Sequence, residues 1–596
     1  MKKLLLLVFS AVCLASCSLK EAISNVFTPS SVNNYDVDPV TEIKTDTSST
    51  DYDKELEEEE IQTPEEYTGE NLTAITSGGE YYFEGDVDAI NIKKGLTVYL
   101  FFNGVTINSN AGIAIESGKD CKVYIVLQNG SENTVTNNFE DANAIHIKGE
   151  LHISGNGILN VESSQKNGIK ASSDIYVSGE NVTLNVTGAN HAIAARSITV
   201  NKSTINVVAN AKDGFQLECD SDVVAFTKEQ GFAYFNEAKI TADTYGDGVQ
   251  AATYIYVSGG EMNLTTHGVF VSYSAANMTT YELETDDFKF VQSGSSYKRV
   301  AKDEIKTLSS KYYAFTQSVK GLKAGAIEDS SGNDITTGDY EIAVAHLAKI
   351  NINSSDDCIH TNYGKVSLDS CNIELKTMDD GVHADYDLTI NNSSIQINDS
   401  YEGLEGANIT IDGNDTNIVS YSSDDGINAA SDLVSSTNIT INAGYLRIYA
   451  NGDGVDANTA LYFKGGTTIV EGPGSGNGSL DSDKIYFQGG IVFACSTSGM
   501  AEQMTATQAT FVYQGSTMAS NSTISITDSS SNPLFSYTLK QSCNQLIFSH
   551  SSMQVGSSYN IMSGSSKVTT ISMSSTLTKV GVSGGGQGGG GNPGWH

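Results

Sequence analysis

A five-residue phrase returns at near-even intervals between Ser355 and Ala457: Asp357-Cys358-Ile359-His360-Thr361, Asp380-Gly381-Val382-His383-Ala384, Glu402-Gly403-Leu404-Glu405-Gly406, Asp425-Gly426-Ile427-Asn428-Ala429 and Asp453-Gly454-Val455-Asp456-Ala457. Aligned on the apolar residue, the steps are 23, 22, 23 and 28 residues. A fixed period of this length is the mark of a solenoid, whose coils cannot bury their apolar sides alone and stack on one another.

The apolar anchor continues upstream at Ile90, Ile113, Ile145, Ile169, Ile193, Phe215 and Val249. Between anchors lie two short alternating runs, as in Leu388-Thr389-Ile390 and Ile395-Gln396-Ile397 on either side of Asn391-Asn392. Alternation sends one parity inward and the other to solvent. With only 6 Pro, 57 Gly and many β-branched pairs, the composition suits short strands and tight turns, and long helices are not expected. Three short strands per coil predict an all-β chain, a right-handed parallel β-helix of about a dozen coils. Its strands should stack about 4.8 Å apart.

Residues 1–17 read as a lipoprotein signal peptide: Lys2 and Lys3, an apolar run, then Leu14-Ala15-Ser16-Cys17, which resembles a bacterial lipobox with Cys17 as the lipidated residue. Residues 18–71 are polar and acidic, densest at Glu57-Glu58-Glu59-Glu60, and predict a disordered tether with a reach of about 40 Å. The β-helix is assigned to 72–500, with an excursion at 272–317 where the period fails and a helix is expected near Ala301 to Ser309. A small C-terminal β domain at 501–565 should cap the rod, followed by a Ser- and Gly-rich flexible tail over 566–596. Cys121, Cys219, Cys358, Cys371, Cys495 and Cys543 are scattered without metal-ligand spacing, so burial as small apolar residues is expected for most of them. The reading is an exported lipoprotein of the bacterial cell envelope, exposed at the surface and monomeric, which meets the membrane only through its lipid anchor.

The formal net charge of −37 argues against nucleic acid or anionic lipid as partners, since both need a basic surface. Within 355–457 there are 18 Asp or Glu against three Lys or Arg. Coil stacking should superpose Asp357, Asp380, Glu402, Asp425 and Asp453 in one column, with His360, His383, Glu405, Asn428 and Asp456 in a second beside it. Two full charges about 5 Å apart repel by roughly 3 kcal/mol at an effective dielectric near 20, so the column must be solvated, protonated or neutralised by a cation. Calcium suits it, because that ion takes six to eight oxygen ligands in irregular geometry. The candidate metal ligands are Asp356, Asp357, Asp379, Asp380, Glu402, Glu405, Asp424, Asp425, Asp453 and Asp456, with His360, His383, Tyr401 and Asn428 as candidate ligand-binding residues. The competing account is that Asp caps its turn while the following Gly takes a positive φ. His360 and His383 could also pair on a transition metal, although no cysteine or third histidine joins them in the sequence. Lys170 and Lys323 occupy the histidine position in other coils and could act as a lyase base if burial lowered their pKa.

The ordered run Asp380-Gly381-Val382-His383-Ala384, Leu388-Thr389-Ile390-Asn391-Asn392, Tyr401-Glu402-Gly403-Leu404-Glu405-Gly406 and Asp424-Asp425-Gly426-Ile427-Asn428-Ala429-Ala430 resembles the parallel β-helix family of bacterial cell-surface carbohydrate-binding domain proteins. Gly474 to Asp481 and Ser498-Gly499-Met500-Ala501 are similar to that family's last coil and exit. The resemblance implies a pectate-lyase-like fold, calcium as the bound ion, and acidic polysaccharide such as polygalacturonate as the partner; the reading adopted is a non-catalytic binder. Two alternatives stand beside it: a calcium-dependent polysaccharide lyase, and a structural surface protein or adhesin. Cys358 where that family has Gly, the excursion and the acidic tether depart from the pattern.

Overall fold

A computed structural model describes residues 40–48, 73–219, 229–268, 317–325, 335–338, 340–474, 477–497 and 503–581, together with the strand backbones at 270–274, 289–293, 296–300 and 311–315. The described residues are all-β and contain no helix. Cys17 and the helix expected at 301–309 lie outside them.

Alternating runs become strands that pair in parallel with their equivalents one coil away, which builds a parallel β-helix. The last three residues of the repeated phrase are a strand segment, as in Ile359–Thr361, which in two coils runs on into the next strand, as Val382–Asn391 and Leu404–Asp412. Among the described residues fourteen such segments stack in register, from Ile90–Ile92 through Ile359–Thr361 to Leu480–Ser482, somewhat more than the dozen expected. Their central column of Ile90, Ile145, Ile169, Ile193, Phe215, Val249, Leu322, Ile359, Val382, Leu404, Ile427 and Val455 is fully buried. Burying each such side chain contributes about 1.5–3 kcal/mol, and only stacked coils can do it. In the second coil Ile115, not Ile113, joins this column, pairing with Ile90 and Ile145. Ile113 lies in the turn before it and is half-buried. An apolar period cannot distinguish two isoleucines two residues apart, because both share a parity.

The excursion leaves the coil register intact. Val249–Ala251 pairs directly with Leu322–Ala324, and Tyr254–Ser258 with Glu341–Ala345. Between them Phe270–Ser274, Lys289–Ser293, Ser296–Val300 and Lys311–Phe315 form their own four-stranded antiparallel sheet.

The solenoid ends where its pairing changes sense. Ile491–Ser496 pairs in parallel with Thr467–Glu471 on one side and antiparallel with Cys543–His550 on the other. The open edge that would template aggregation is thereby consumed. Thr510–Met518 and Leu577–Val580 extend this sheet, and Thr523–Asp528, Pro533–Thr538, Ser558–Ser563 and Ser566–Ser572 form a second one over a core that includes Phe493, Phe511 and Phe548. Ser566–Ser572 and Leu577–Val580 therefore carry the cap past the boundary at 565, into what was expected as tail. Short Ser- and Thr-rich strands look like linker in sequence because only alternate residues face the core.

A latch joins the cap to the rod. The buried Glu471 carboxylate accepts hydrogen bonds from Tyr537 Oη at 2.8 Å and from the backbone N–H groups of Lys540 and Gln541 at 2.9 and 2.8 Å. Tyr537 also contacts Tyr449 Oη at 2.8 Å, and Lys540 Nζ donates to Tyr421 Oη at 2.8 Å.

Part of the expected tether is docked. Asn372 accepts from Ile43 N–H at 2.6 Å and donates to Ile43 C=O at 3.1 Å, offering the donor and acceptor pair of a strand edge. Ser370 and Asn392 hold Thr47, and Val40 packs against Val419, Tyr421 and Tyr449. Of the six cysteines named above, all but Cys219 are buried, and none is bridged.

Candidate metal centre

Register creates both expected columns. Ile359, Val382, Leu404, Ile427 and Val455 pair in succession, which brings His360, His383, Glu405, Asn428 and Asp456 side by side along the rod. Asp357, Asp380, Glu402, Asp425 and Asp453 sit two residues before each anchor and form the neighbouring column.

The acidic column has a backbone duty. Asp357 Oδ1 accepts the Asp380 N–H at 3.0 Å, Asp380 Oδ1 the Glu402 N–H at 3.2 Å, Asp425 Oδ1 the Asp453 N–H at 2.5 Å and Asp453 Oδ1 the Gly478 N–H at 2.5 Å. Asn143, Asn167, Asp213 and Asp247 do the same in earlier coils. Each cap thus reaches the next coil rather than its own turn, and an Asp cap occupies one oxygen while leaving the other for different chemistry. Glycine follows for closeness, not for a positive φ, since Gly381, Gly403, Gly426 and Gly454 are not among the positive-φ residues. A Cβ at Gly403 would lie 2.3 Å from Gly426 O, and one at Gly426 2.5 Å from Gly454 O.

The remaining oxygens meet three different environments along the rod. In the first, Lys320 Nζ lies 3.0 Å from Asp356 Oδ1 and 2.8 Å from Asp357 Oδ2, and all three residues are buried. Asp379 is buried against the same pair of carboxylates. Burial alone would raise the Asp357 carboxyl and lower the Lys320 ammonium. Lys320 and then His360 outweigh burial at Asp357 and hold it well below the usual carboxylate range, while Asp356, Asp357 and Asp379 outweigh it at Lys320 and hold that ammonium well above the usual lysine value. Here the chain supplies its own cation, a residue that sequence reasoning missed. The signal was present, because Lys320-Gly321-Leu322-Lys323-Ala324 sets Lys320 in the frame position that Asp holds elsewhere.

The second environment contains imidazoles. His360 Nδ1 lies 2.7 Å from Asp357 Oδ2, while His383 Nδ1 lies 3.3 Å from Asp380 Oδ2 and 3.1 Å from Glu405 Oε2. Asp385 Oδ1 faces His383 Nε2 at 3.3 Å. Burial and the Lys320 charge lower the His360 pKa. For His383, burial is outweighed by Glu405, Asp380 and Asp385, which raise it well above the usual histidine range.

The third environment is carboxylate alone. Asp425, Asp453 and Asp456 each place an oxygen within 4.8 Å of the others. Burial, then Asp424, Asp456 and Asp453, push the Asp425 carboxyl up to about 9, and burial pushes Asp453 to about 6. Glu402 is likewise raised, by burial and then by Glu405, Asp380 and Asp425. Asn428 donates from Nδ2 to Glu402 Oε2 at 3.0 Å, which leaves Asn428 Oδ1 buried without a hydrogen bond. Such a group of hard oxygens, crowded enough to retain protons, fits a divalent cation of the calcium type.

The other expected residues play smaller parts. Tyr401 secures the turn, donating its N–H to Asp379 O at 2.6 Å and accepting from Asp424 N–H at 2.9 Å. Lys170 is exposed in register with His146, and Lys323 Nζ donates to Ser318 Oγ at 3.0 Å, 4.0 Å from the buried Asp247.

Comparison with known proteins places the chain in a family. A protein of Acetivibrio thermocellus described as carbohydrate-binding domain-containing is 32% identical over 131 residues, which cover 19% of this chain and 45% of that relative. The match thus spans less than half of the relative's length. A solved structure, of the polysaccharide lyase-like protein from C. thermocellum as a gadolinium derivative, aligns with 33% of this chain and 82% of that one at 24% identity and a TM-score of 0.29. A family model described as "Carbohydrate-binding domain-containing protein" matches residues 68–381, 322–472 and 377–585. The chain belongs to that family.

Proposed function

We propose that the protein is a non-catalytic, calcium-dependent binder of acidic polysaccharide of the polygalacturonate type, held at the bacterial cell surface through a lipidated Cys17. Family membership supports carbohydrate as the partner. The observation that carries the calcium part is the third environment: Asp425, Asp453 and Asp456 bring carboxylate oxygens within 4.8 Å of one another, and Asn428, in register with Asp456, keeps a buried Oδ1 without a hydrogen bond. A calcium ion there would relieve the repulsion and leave coordination positions for a uronate carboxylate. A net charge of −37 makes a bridging cation the requirement for holding a polyanion.

The test is calorimetric titration of calcium, followed by polygalacturonate with and without chelator. The expected result is calcium uptake that Asp453→Asn and Asp425→Asn weaken without loss of fold, and glycan binding that chelator abolishes. Glycan binding indifferent to chelator and to both variants would sink the reading. Steady accumulation of unsaturated uronide absorbance in the same mixture would show a lyase instead.

A further inference from the structure

We infer that the histidine coils form a second metal centre, selective for a first-row transition ion of the zinc class and built from Asp380, His383 and Glu405. It does not rest on the calcium reading, whose carboxylates come from later coils.

The donor atoms are already spaced for such an ion. Glu405 Oε2 and Asp380 Oδ2 lie 3.1 and 3.3 Å from His383 Nδ1. A tetrahedral ion with ligands at about 2.0–2.1 Å needs ligand separations of about 3.3–3.4 Å, so the triad can close on it with small side-chain movements. A mixed imidazole and carboxylate set selects zinc, cobalt or nickel, whereas calcium takes oxygen alone.

Unsatisfied nitrogen points the same way. His383 Nδ1 is buried between two carboxylates yet makes no aligned hydrogen bond with either. His360, only 8% exposed, repeats this one coil earlier: its Nδ1 sits 2.7 Å from Asp357 Oδ2, also without hydrogen-bond alignment. Asp357, His360 and His383 offer donor atoms within 4.8 Å of one another, as do Asp380, His383 and Glu405. The Asp357 side already holds the Lys320 ammonium, so the ion is assigned to the Asp380, His383 and Glu405 triad.

The support behind the imidazole is in place as well. Asp385 Oδ1 faces the other ring nitrogen, His383 Nε2, at 3.3 Å, and the Tyr363 N–H fixes Asp385 through Oδ2 at 2.8 Å. A carboxylate behind a histidine orients the ring and raises its basicity toward a metal. Side chains of His383 and Glu405 are 22% and 19% exposed, which gives the ion an entry path and a fourth position open to water or a ligand oxygen.

Titration of the full chain with Zn2+ in excess Ca2+, and with Co2+ followed by visible absorption, tests this assignment. One equivalent should bind despite calcium, with a cobalt spectrum of mixed nitrogen and oxygen ligation. His383→Ala and Glu405→Gln should abolish that equivalent, Asp385→Asn should weaken it by about tenfold, and Asp453→Asn should leave it intact. Zinc uptake unchanged in His383→Ala, or lost to calcium at equal concentration, would overturn the proposal. If His383→Ala does not fold, as judged by circular dichroism in chelator, His383→Gln replaces it. A parent protein whose cobalt spectrum lacks nitrogen ligation overturns the proposal whichever variant folds.

Discussion

Lys320 Nζ stands 2.8 Å from Asp357 Oδ2, inside the rod wall and one coil before the carboxylate it neutralises. Lys320→Met should therefore leave Asp356 and Asp357 buried without the ammonium that neutralises them and destabilise the rod by about 3–5 kcal/mol in chemical denaturation. Adding Asp357→Asn to that variant should restore part of the loss. No change in the midpoint on Lys320→Met would mean that the pair is solvated after all.

Asp399 gives a pH dependence away from the acidic columns. Burial, only partly offset by Lys376, pushes its carboxyl up to about 6, and its Oδ1 has no hydrogen bond. A carboxyl whose folded pKa is raised destabilises the fold when ionised, so the cost is complete above about pH 6 and gone below about pH 4. Asp399→Asn should then stabilise the protein by about 1–3 kcal/mol at pH 8 and leave it unchanged at pH 4. Thermal melts across that range check the sign, and a variant less stable at pH 8 would refute it.

Glu471 couples cap and rod. Glu471→Ala removes the acceptor of the Lys540 and Gln541 N–H groups and of Tyr537, leaving buried donors unpaired at about 1–3 kcal/mol each. Hydrogen exchange should rise first in 491–496 and 543–550, where rod and cap pair. Exchange that rises uniformly along the rod would place the latch's role elsewhere.

Gly403 tests why glycine follows the acidic residue. A Cβ there would meet Ser420 Oγ at 2.2 Å and Gly426 O at 2.3 Å. Gly403→Ala should cost about 1–3 kcal/mol through overpacking and lower metal uptake at the flanking coils. A neutral outcome in melting experiments would show that adjacent coils can part without strain.

Much of this was legible in the sequence. The step from Ile359 to Val382 to Leu404 to Ile427 predicted the pairing that stacks them, because a solenoid repeats one cross-section and its sequence must repeat with it. Position in the phrase therefore predicted which residues become neighbours, His360 beside His383 and Asn428 beside Asp456. Less visible were features with no period: Ile115 rather than Ile113, the docking of Ile43 on Asn372, and the cap strands after 565.

Sequence by itself determined the coil, its columns and the acidic stripe along them, since period and parity are properties of the chain alone. Only the tertiary structure decided what each carboxylate faces. Asp357 meets an ammonium, Asp380 an imidazole and Asp425 further carboxylates, although all three occupy one place in the repeat. The physical reason is that neutralisation depends on distances of about 3 Å between side chains of neighbouring coils and on how deeply each is withdrawn from water. A repeat fixes which side chains are neighbours; rotamers and burial set the charge each one carries.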